Sequence, residues 1–333
     1  MALLLTIIKR LCYAVLLLVA VLILNFLLIH LSPGDPAQVI AGEMGGASAA
    51  QLEAIRAAYG LDRPLIVQLG VYLGQVAQGN LGYSFDFDRP VLDLILTRGP
   101  ATLLLVVTSL TMAICIGTLL GVLASRKPNG LVSHCITVGA LFGFATPVFW
   151  IGIMLMILFA GVLQILPVAG MRSVALQDAG VIEYALDVLR HLVLPAVTLS
   201  VVYIAQYSRL ARASMLETLG SDYIRTARAK GLPERRVVFK HALRNAILPV
   251  VTMAGLQFSQ LFAGAILVET VFNWPGMGRL AFESILRRDY PTLLGILFFS
   301  ALIVVIVNQL TDLIYRLVDP RIKTSATSDH ASK

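Results

Sequence analysis

The sequence predicts an all-α integral membrane protein with six transmembrane helices and both termini on the cytoplasmic side. Hydrophobic residues make up 58% of the 333 residues and charged residues only 14%, with a mean hydropathy of +0.83. Water-soluble domains carry about 25% charged residues, so this composition excludes a single soluble globule. The net charge of +7 is distributed between long apolar runs. It therefore lacks the one-faced basic patch of a nucleic-acid-binding domain.

Six apolar runs are long enough, or nearly so, to cross about 30 Å of hydrocarbon, which takes about 20 helical residues. The fourth run is short and contains Pro195, but Arg209 can snorkel beyond its end. Pro147 is expected to kink the third run, because proline removes a helical hydrogen bond. The first run is too long for a signal-peptide core and lacks a cleavage site, which favours a retained anchor. The six predicted spans are 11–31, 102–124, 136–160, 192–207, 247–268 and 293–315.

Positive charges set the predicted orientation, because Lys and Arg accumulate in cytoplasmic loops. The predicted cytoplasmic segments together hold 17 Lys and Arg against five Asp and Glu; they are 1–10, 125–135, 208–246 and 316–333. The predicted outside segments hold nine against thirteen; they are 32–101, 161–191 and 269–292. The long first outside segment has helical patterns at 49–59 and 64–78. We expect it to form an extracytoplasmic cap that helps to dock a partner or shields the mouth of a pathway.

Catalytic and cofactor motifs are missing from the sequence. No phosphate-binding Gly-x-x-x-x-Gly-Lys-Ser/Thr loop, His-Glu-x-x-His pattern or Gly-x-Ser-x-Gly elbow occurs, so we predict no enzyme activity, no catalytic residues, no cofactor and no metal site. Cys12, Cys115 and Cys135 lie in or beside apolar runs and are interpreted as small buried hydrophobic residues. Asp312, the only charge inside a span, is expected to pair with Arg316 near the membrane edge rather than to relay protons.

Two pairs of glycines have the spacing that lets membrane helices approach closely. Gly117 and Gly121 lie in the second run, and Gly139 and Gly143 lie in the third. Such small-xxx-small spacing is typical of close helix packing, although glycine is also tolerated in any membrane helix.

The basic loop (residues 208–246) carries nine Lys and Arg against three acidic residues and contains residues that typically begin and end helices. Ser221 is expected to cap a helix over 222–230, with Asp222 in its first turn. Gly231 suits a left-handed helix end, and Pro233 stops continuation. A second helical run follows at 234–245. Attraction to anionic lipid headgroups requires positive charge but no fixed turn, or elbow, between two helices. The residues that begin and end the two helices therefore favour a helix that docks into a groove of a cytoplasmic partner.

The basic loop also carries a specific resemblance. The general coupling-loop pattern of ATP-binding-cassette importer permeases is matched only at Ala227, Gly231 and Leu243. The sequences at 222–232 and 241–245, in contrast, are similar to those of the B-type permeases of dipeptide, oligopeptide and nickel importers. Further segments that resemble this family are 30–36, 79–82, 147–150, 274–279, 288–291 and 319–322.

This resemblance implies a type I importer-like transmembrane domain in the bacterial inner membrane that passes peptides by alternating access. It implies several partners: a second homologous permease subunit, two cytoplasmic ATP-binding subunits, an extracytoplasmic substrate-binding protein and membrane lipid, but no nucleic acid. The residues that it places in contact with the ATP-binding subunits are Asp222, Arg225, Thr226, Ala227, Gly231, His241 and Leu243. Candidate pathway residues, chosen as aromatic or polar groups on spans, are Phe149, Trp150, Gln257 and Gln260.

Other functions remain open at this stage. Glutathione, haem or a nickel chelate are alternative substrates, because permeases of this general pattern carry each of them. An ion-coupled secondary transporter is disfavoured by the lack of carboxylates near the middle of the spans. A membrane scaffold that recruits a cytoplasmic protein through the basic loop is the third hypothesis.

Overall fold

Helices dominate the computed structural model, which describes residues 2–31, 35, 37–38, 48–84, 86–173 and 180–318. Within these ranges it describes all side chains except those of 2–7, 9, 58–59 and 312–318. The predicted pair of Asp312 and Arg316 therefore lies outside the described side chains. In chain order the elements are α1 (Ala2–Leu31), α2 (Ala49–Tyr59), α3 (Leu65–Ala77), β1 (Tyr83–Ser84), β2 (Arg89–Pro90), α4 (Val91–Arg126), α5 (Leu131–Ala145), α6 (Val148–Leu155), α7 (Val181–Leu219), α8 (Asp222–Ala229), α9 (Glu234–Arg236), α10 (Leu243–Ala246), α11 (Leu248–Val271), α12 (Met277–Arg287) and α13 (Tyr290–Val318).

Five helices in the described part of the chain are long and apolar enough to cross a membrane, and a bent pair raises the number to six. The five are Arg10–Leu31, Val91–Arg126, Val181–Leu219, Leu248–Val271 and Tyr290–Thr311. The bent pair joins α5 (Leu131–Ala145) to Val148–Val162 at an angle of 106°, and this second part is α6 followed by a π-helical segment at Met156–Val162. The helix breaks at Thr146 and Pro147, in agreement with the kink expected at this proline. The third predicted span is thus two helical segments with a sharp bend rather than one continuous helix.

Two spans are longer than the sequence runs suggested. α4 begins at Val91 and continues through Pro100, and α7 covers 39 residues and continues through Pro195. Each proline removes one backbone hydrogen bond, but in a membrane helix neighbouring helices and polar side chains can compensate for the loss. The fourth span is therefore not a short run that ends at Tyr207, and the first twelve residues of the basic loop belong to α7.

The first compact unit comprises Met1–Ala101 and Pro275–Ile306. The side-chain amide of Asn25 in α1 donates to the carbonyl of Leu294 in α13. The ring Nε2 of His30 lies 2.8 Å from Oε1 of Gln68, which connects the end of α1 to α3. Ser84 in the short antiparallel hairpin donates to the buried carboxylate of Asp289. The last two bonds connect segment 32–101 to the end of α1 and to Asp289, which directly precedes α13. The predicted helices at 49–59 and 64–78 are present as α2 and α3.

The second unit comprises Thr102–Trp274 and Val307–Lys333. α4 and α7 approach so closely that a Cβ atom on Gly117 would lie 2.6 Å from Cβ of Tyr207. Gly121 faces Ala211 at the same separation. In the bent pair, Gly143 faces Val201, whereas Gly139 has nothing within 4 Å. Close packing is therefore confirmed for Gly117, Gly121 and Gly143 and is absent at Gly139.

The three cysteines correct a further expectation. Cys12, Cys115 and Cys135 are free thiols, and all three are exposed on the surface of the isolated chain. Residues in an apolar run of a membrane protein can face lipid as well as the protein interior, so the apolar setting did not imply burial.

Candidate coupling site

The basic loop leaves α7 through Gly220 and enters α8 at Ser221. The hydroxyl of Ser221 donates to the carbonyl of Thr218 at 2.6 Å and forms no bond to the first amides of α8. The expected side-chain cap is therefore wrong, although Ser221 occupies the N-cap position with extended backbone. Asp222 lies in the first turn, where its negative charge favours the positive end of the helix dipole.

The end of α8 forms the predicted left-handed cap. Gly231 has φ of +75°, its N–H donates to the carbonyl of Arg228, and the N–H of Leu232 donates to that of Ala227. This pair of bonds is the Schellman arrangement, in which glycine avoids the strain that a side chain would suffer. Pro233 then precedes α9, so the elbow predicted between the two helical arms is confirmed.

The second arm is helical from Glu234 to Ala246, close to the predicted run at 234–245. Its middle section, Val237–Ala242, has the wider π-helical register, and α9 and α10 flank it. The sequence predicted the helical arm but not the π-helical register, because over six residues the same apolar spacing fits both an α-helix and a π-helix.

A buried cluster fixes the basic loop to the membrane helices. It contains Val122 of α4 and Met215 of α7, and the part of the loop beyond α7 contributes the rest: Ile224, Ala227, Val237, Val238, Ala242 and Ala246. Leu243 packs against the cluster from its edge. Two residues assigned by resemblance to the ATPase contact, Ala227 and Leu243, therefore face this interior.

Four other assigned residues share the outer surface of the loop. Asp222, Arg225, Thr226 and Gly231 are exposed, and His241 is half-buried. The carboxylate of Asp222 lies 3.3 Å from the guanidinium of Arg225, and its backbone carbonyl accepts from the hydroxyl of Thr226. The structure thus divides the assigned set into an outer face and an inner packing face.

An ion pair connects the two arms of the elbow. The guanidinium of Arg228 donates to both carboxylate oxygens of Glu234, at 2.7 and 3.2 Å. This hydrogen bonding lowers the pKa of Glu234 below its usual value, with a smaller contribution from the charge of Arg126. A second link joins Asn245 Nδ2 to the Tyr223 hydroxyl at 2.8 Å. The sequence motifs indicate neither link, although the opposite charges on the two sides of the Gly231–Pro233 turn are a signal for the first.

The candidate pathway residues do not form one group. Phe149 and Trp150 are exposed in the first turn of α6, and Gln260 is exposed on α11. Gln257 is buried, and its side-chain Nε2 donates to Oε1 of Gln206 on α7 at 2.8 Å. Its own Oε1 is buried without a hydrogen-bond partner in the described part of the chain.

Comparison with known proteins decides the family. Residues 117–324 match the model of the binding-protein-dependent transport system inner membrane component, and residues 3–106 match the N-terminal model of such membrane components. The chain belongs to this family. The permease is 44% identical over 310 residues to a putative peptide permease protein of Brucella suis biovar 1, covering 92% of this chain and 95% of the relative.

Other curated relatives show the same extensive similarity. The permease is 40% identical to the dipeptide transport system permease protein DppB of Escherichia coli K12, with 95% and 98% of the two chains covered. It is 41% identical to the di/tripeptide transport system permease protein DppB of Pseudomonas aeruginosa UCBPP-PA14, with 91% and 94% covered. The resemblance to peptide permeases of ATP-binding-cassette importers is confirmed, and so is a multi-pass inner-membrane location.

A solved structure shows the fold. A chain of the MetNI methionine ABC transporter in an inward-facing conformation superimposes with a TM-score of 0.54 at 17% identity, covering 68% of this permease and 96% of that chain. At this level of identity the likeness concerns the fold alone. It shows the importer-like helical fold that the sequence predicted, while the six-span count and the orientation stay predictions.

Proposed function

We propose that this permease is the membrane-spanning subunit of an ATP-driven importer that carries dipeptides and short oligopeptides into the cytoplasm. The observation that carries the proposal is the identity of 40–44%, over more than nine-tenths of the chain, with permeases named for peptide, dipeptide and di/tripeptide transport. Glutathione, haem and nickel chelates remain alternative substrates, and the transport experiment below distinguishes them.

The proposed orientation places the basic loop and both termini in the cytoplasm, with segment 32–101 outside. The charge distribution supports it, because the predicted inner segments hold 17 of the 26 Lys and Arg. The proposed assembly contains a second homologous permease subunit, two ATP-binding subunits and an extracytoplasmic substrate-binding protein. Six spans are few for one chain to enclose a pathway wide enough for a peptide, which favours a paired permease.

The outer face of the basic loop is the proposed contact with an ATP-binding subunit. Seven basic side chains are exposed between Asp222 and Asn245, against two exposed acidic ones, so the face suits an acidic groove. The seven are Arg225, Arg228, Lys230, Arg235, Arg236, Lys240 and Arg244. We assign Asp222, Arg225 and Thr226 to the contact, Gly231 to the shape of the elbow, and Ala227 and Leu243 to its interior packing.

The buried cluster supports mechanical coupling. Because Val122 and Met215 belong to α4 and α7, a displacement of the loop acts on two long helices through packed side chains. A docked loop that moves as a rigid body is a suitable lever for alternating access, since closure of the ATP-binding subunits favours one of two arrangements. Gln257 and its partner Gln206 are proposed pathway residues between α11 and α7, with Phe149, Trp150 and Gln260 as further candidates.

Uptake by the reconstituted complex tests the proposal. The complex is placed in proteoliposomes with ATP inside and the substrate-binding protein outside, and entry of labelled alanyl-alanine is measured. We expect ATP-dependent uptake that other dipeptides inhibit and that haem, glutathione and nickel chelates do not.

Arg225→Glu should abolish uptake without loss of assembly of the membrane subunits, whereas Arg190→Glu, an exposed charge reversal at the other end of α7, should preserve it. Uptake by the permease alone, or uptake that requires a proton gradient instead of ATP, would contradict the proposal.

A further inference from the structure

A cavity of about 230 Å³ lies between α5 and α7 in the second unit. One water molecule occupies about 30 Å³, so the cavity is large enough for a group of several heavy atoms. Four of its eight lining residues are polar and four are apolar, and most of the lining surface is apolar: Ile136, Thr137, Ala140, Ser208, Arg209, Arg212, Ala213 and Leu216. Leu216, Ala213 and Arg209 are exposed, so the cavity opens to the surface.

Two arginines give the cavity a positive charge. Arg212 donates through Nη2 to the carbonyl of Pro128 at 3.2 Å, while its buried Nε has no hydrogen-bond partner in the described part of the chain. The guanidinium of Arg209 lies 5.0 Å from the centre of the Phe144 ring. The eight described residues that line the cavity include no carboxylate. The cavity lining thus carries two cations, and one of them, Arg212, has an unsatisfied donor.

In the proposed orientation the cavity lies at the level of the lipid headgroups. Pro128 belongs to the short connection between α4 and α5, and Arg212 reaches it from the C-terminal part of α7, so the cavity lies close to this connection and to the predicted cytoplasmic ends of the third and fourth spans. Arginine side chains at such ends extend to the membrane surface, where lipid phosphates lie. The apolar part of the lining continues along α5, because Leu141 and Phe144, one turn beyond Thr137 and Ala140, are exposed.

We propose that this cavity binds the phosphate of an anionic phospholipid, with Arg209 and Arg212 as its ligands. Guanidinium groups suit phosphate because they present several N–H donors in one plane. The apolar part of the lining, Ile136, Ala140, Ala213 and Leu216, favours a ligand with an acyl chain over free phosphate. Basic pockets between membrane helices are typical binding sites for anionic lipid headgroups.

Native mass spectrometry of the purified full-length chain, titrated with phosphatidylglycerol or phosphatidylcholine, tests the site. We expect phosphatidylglycerol to bind more tightly, and Arg209→Gln and Arg212→Gln each to weaken that binding about fivefold. Arg190→Gln removes an exposed positive charge from the same helix but far from the cavity, so it should leave the affinity unchanged. Ala213→Trp fills the cavity while both arginines remain, and it should weaken binding as well.

Several results would overturn the proposal. The first is equal binding of the two lipids. The second is unchanged affinity for phosphatidylglycerol in the double variant of Arg209 and Arg212. The third is displacement of the lipid by an equal concentration of inorganic phosphate, which would assign the site to a free anion. If the glutamine variants do not fold, Arg212→Lys and Ala213→Trp take their place. In that case retained binding in Arg212→Lys with lost binding in Ala213→Trp supports the site, and unchanged binding in Ala213→Trp contradicts it.

Discussion

Gly121 allows α4 and α7 to make backbone contact within the second unit. A Cβ atom at this position would lie 2.6 Å from both the Cβ of Ala211 and the carbonyl oxygen of Ser208. Gly121→Ala should therefore destabilise the permease by about 1–3 kcal/mol, as expected for an overpacked contact. Thermal unfolding of the purified protein, followed by intrinsic fluorescence, measures this effect.

Gly139→Ala provides the matched control, because a Cβ atom at Gly139 would meet nothing within 4 Å. This substitution in a helix should be neutral or slightly stabilising in the isolated chain, since alanine favours the helix over glycine. Equal destabilisation by the two substitutions would show that helix packing at Gly121 is not the cause.

The two faces of the elbow show how far single residues could be assigned from the sequence. The motif placed both Arg225 and Ala227 at a partner contact, but Ala227 is 8% exposed and packs inside the loop. Ala227→Glu would therefore bury a carboxylate and disturb the loop itself, so it does not test docking alone. Exposed Arg225 is the better position for that test. A motif records which residues belong together, and only the fold shows which way each one faces.

The Arg228–Glu234 pair connects the two arms of the elbow, and its contribution depends on pH. The lowered pKa of Glu234 means that the pair stabilises the folded loop above the ordinary glutamate pKa of 4.5. That stabilisation is lost as the pH falls through the lowered value. At pH 7, Glu234→Gln should increase hydrogen exchange of the amides in 228–238 by no more than about fivefold, because an exposed pair contributes little.

The comparison of wild type and Glu234→Gln at each pH is the decisive part of that measurement. The difference between them should disappear at strongly acidic pH, where both side chains are neutral. Asp222→Asn, which breaks a pair within α8 alone, should leave exchange across the turn unchanged. A difference that persists below the lowered pKa would contradict the assigned role of the carboxylate.

Helices and their ends were predictable where local chemistry decides them. Gly231, Pro233 and Pro147 ended helices as expected, because each acts through its own backbone. Pro195 lies inside the predicted fourth span and inside α7, where packing outweighs one lost hydrogen bond. The extension of α7 to Leu219 could be predicted from Ala211, Met215 and Leu219, because apolar residues that recur every fourth position indicate a continued helix. Packing also determines the π-helical register of Val237–Ala242, and this register cannot be predicted from a single sequence.

For the whole molecule, the sequence motifs sufficed to predict the family, and the family models and the curated relatives confirm that prediction. The curated relatives match more than nine-tenths of the chain. The pairing of the proposed pathway residues could not be predicted in the same way. Gln257 and Gln206 lie 51 positions apart in the chain, and only the packing of α11 against α7 brings their side chains together.

Photo-crosslinking from the basic loop tests the central claim most directly. A photoreactive amino acid in place of Arg225, in the assembled complex, should form a covalent adduct with an ATP-binding subunit. The same amino acid in place of Arg190, which is exposed at the opposite end of α7, should form none with that subunit. If position 225 forms no adduct with an ATP-binding subunit, or if it reacts only with an extracytoplasmic protein, the basic loop is not where ATP hydrolysis is coupled to transport.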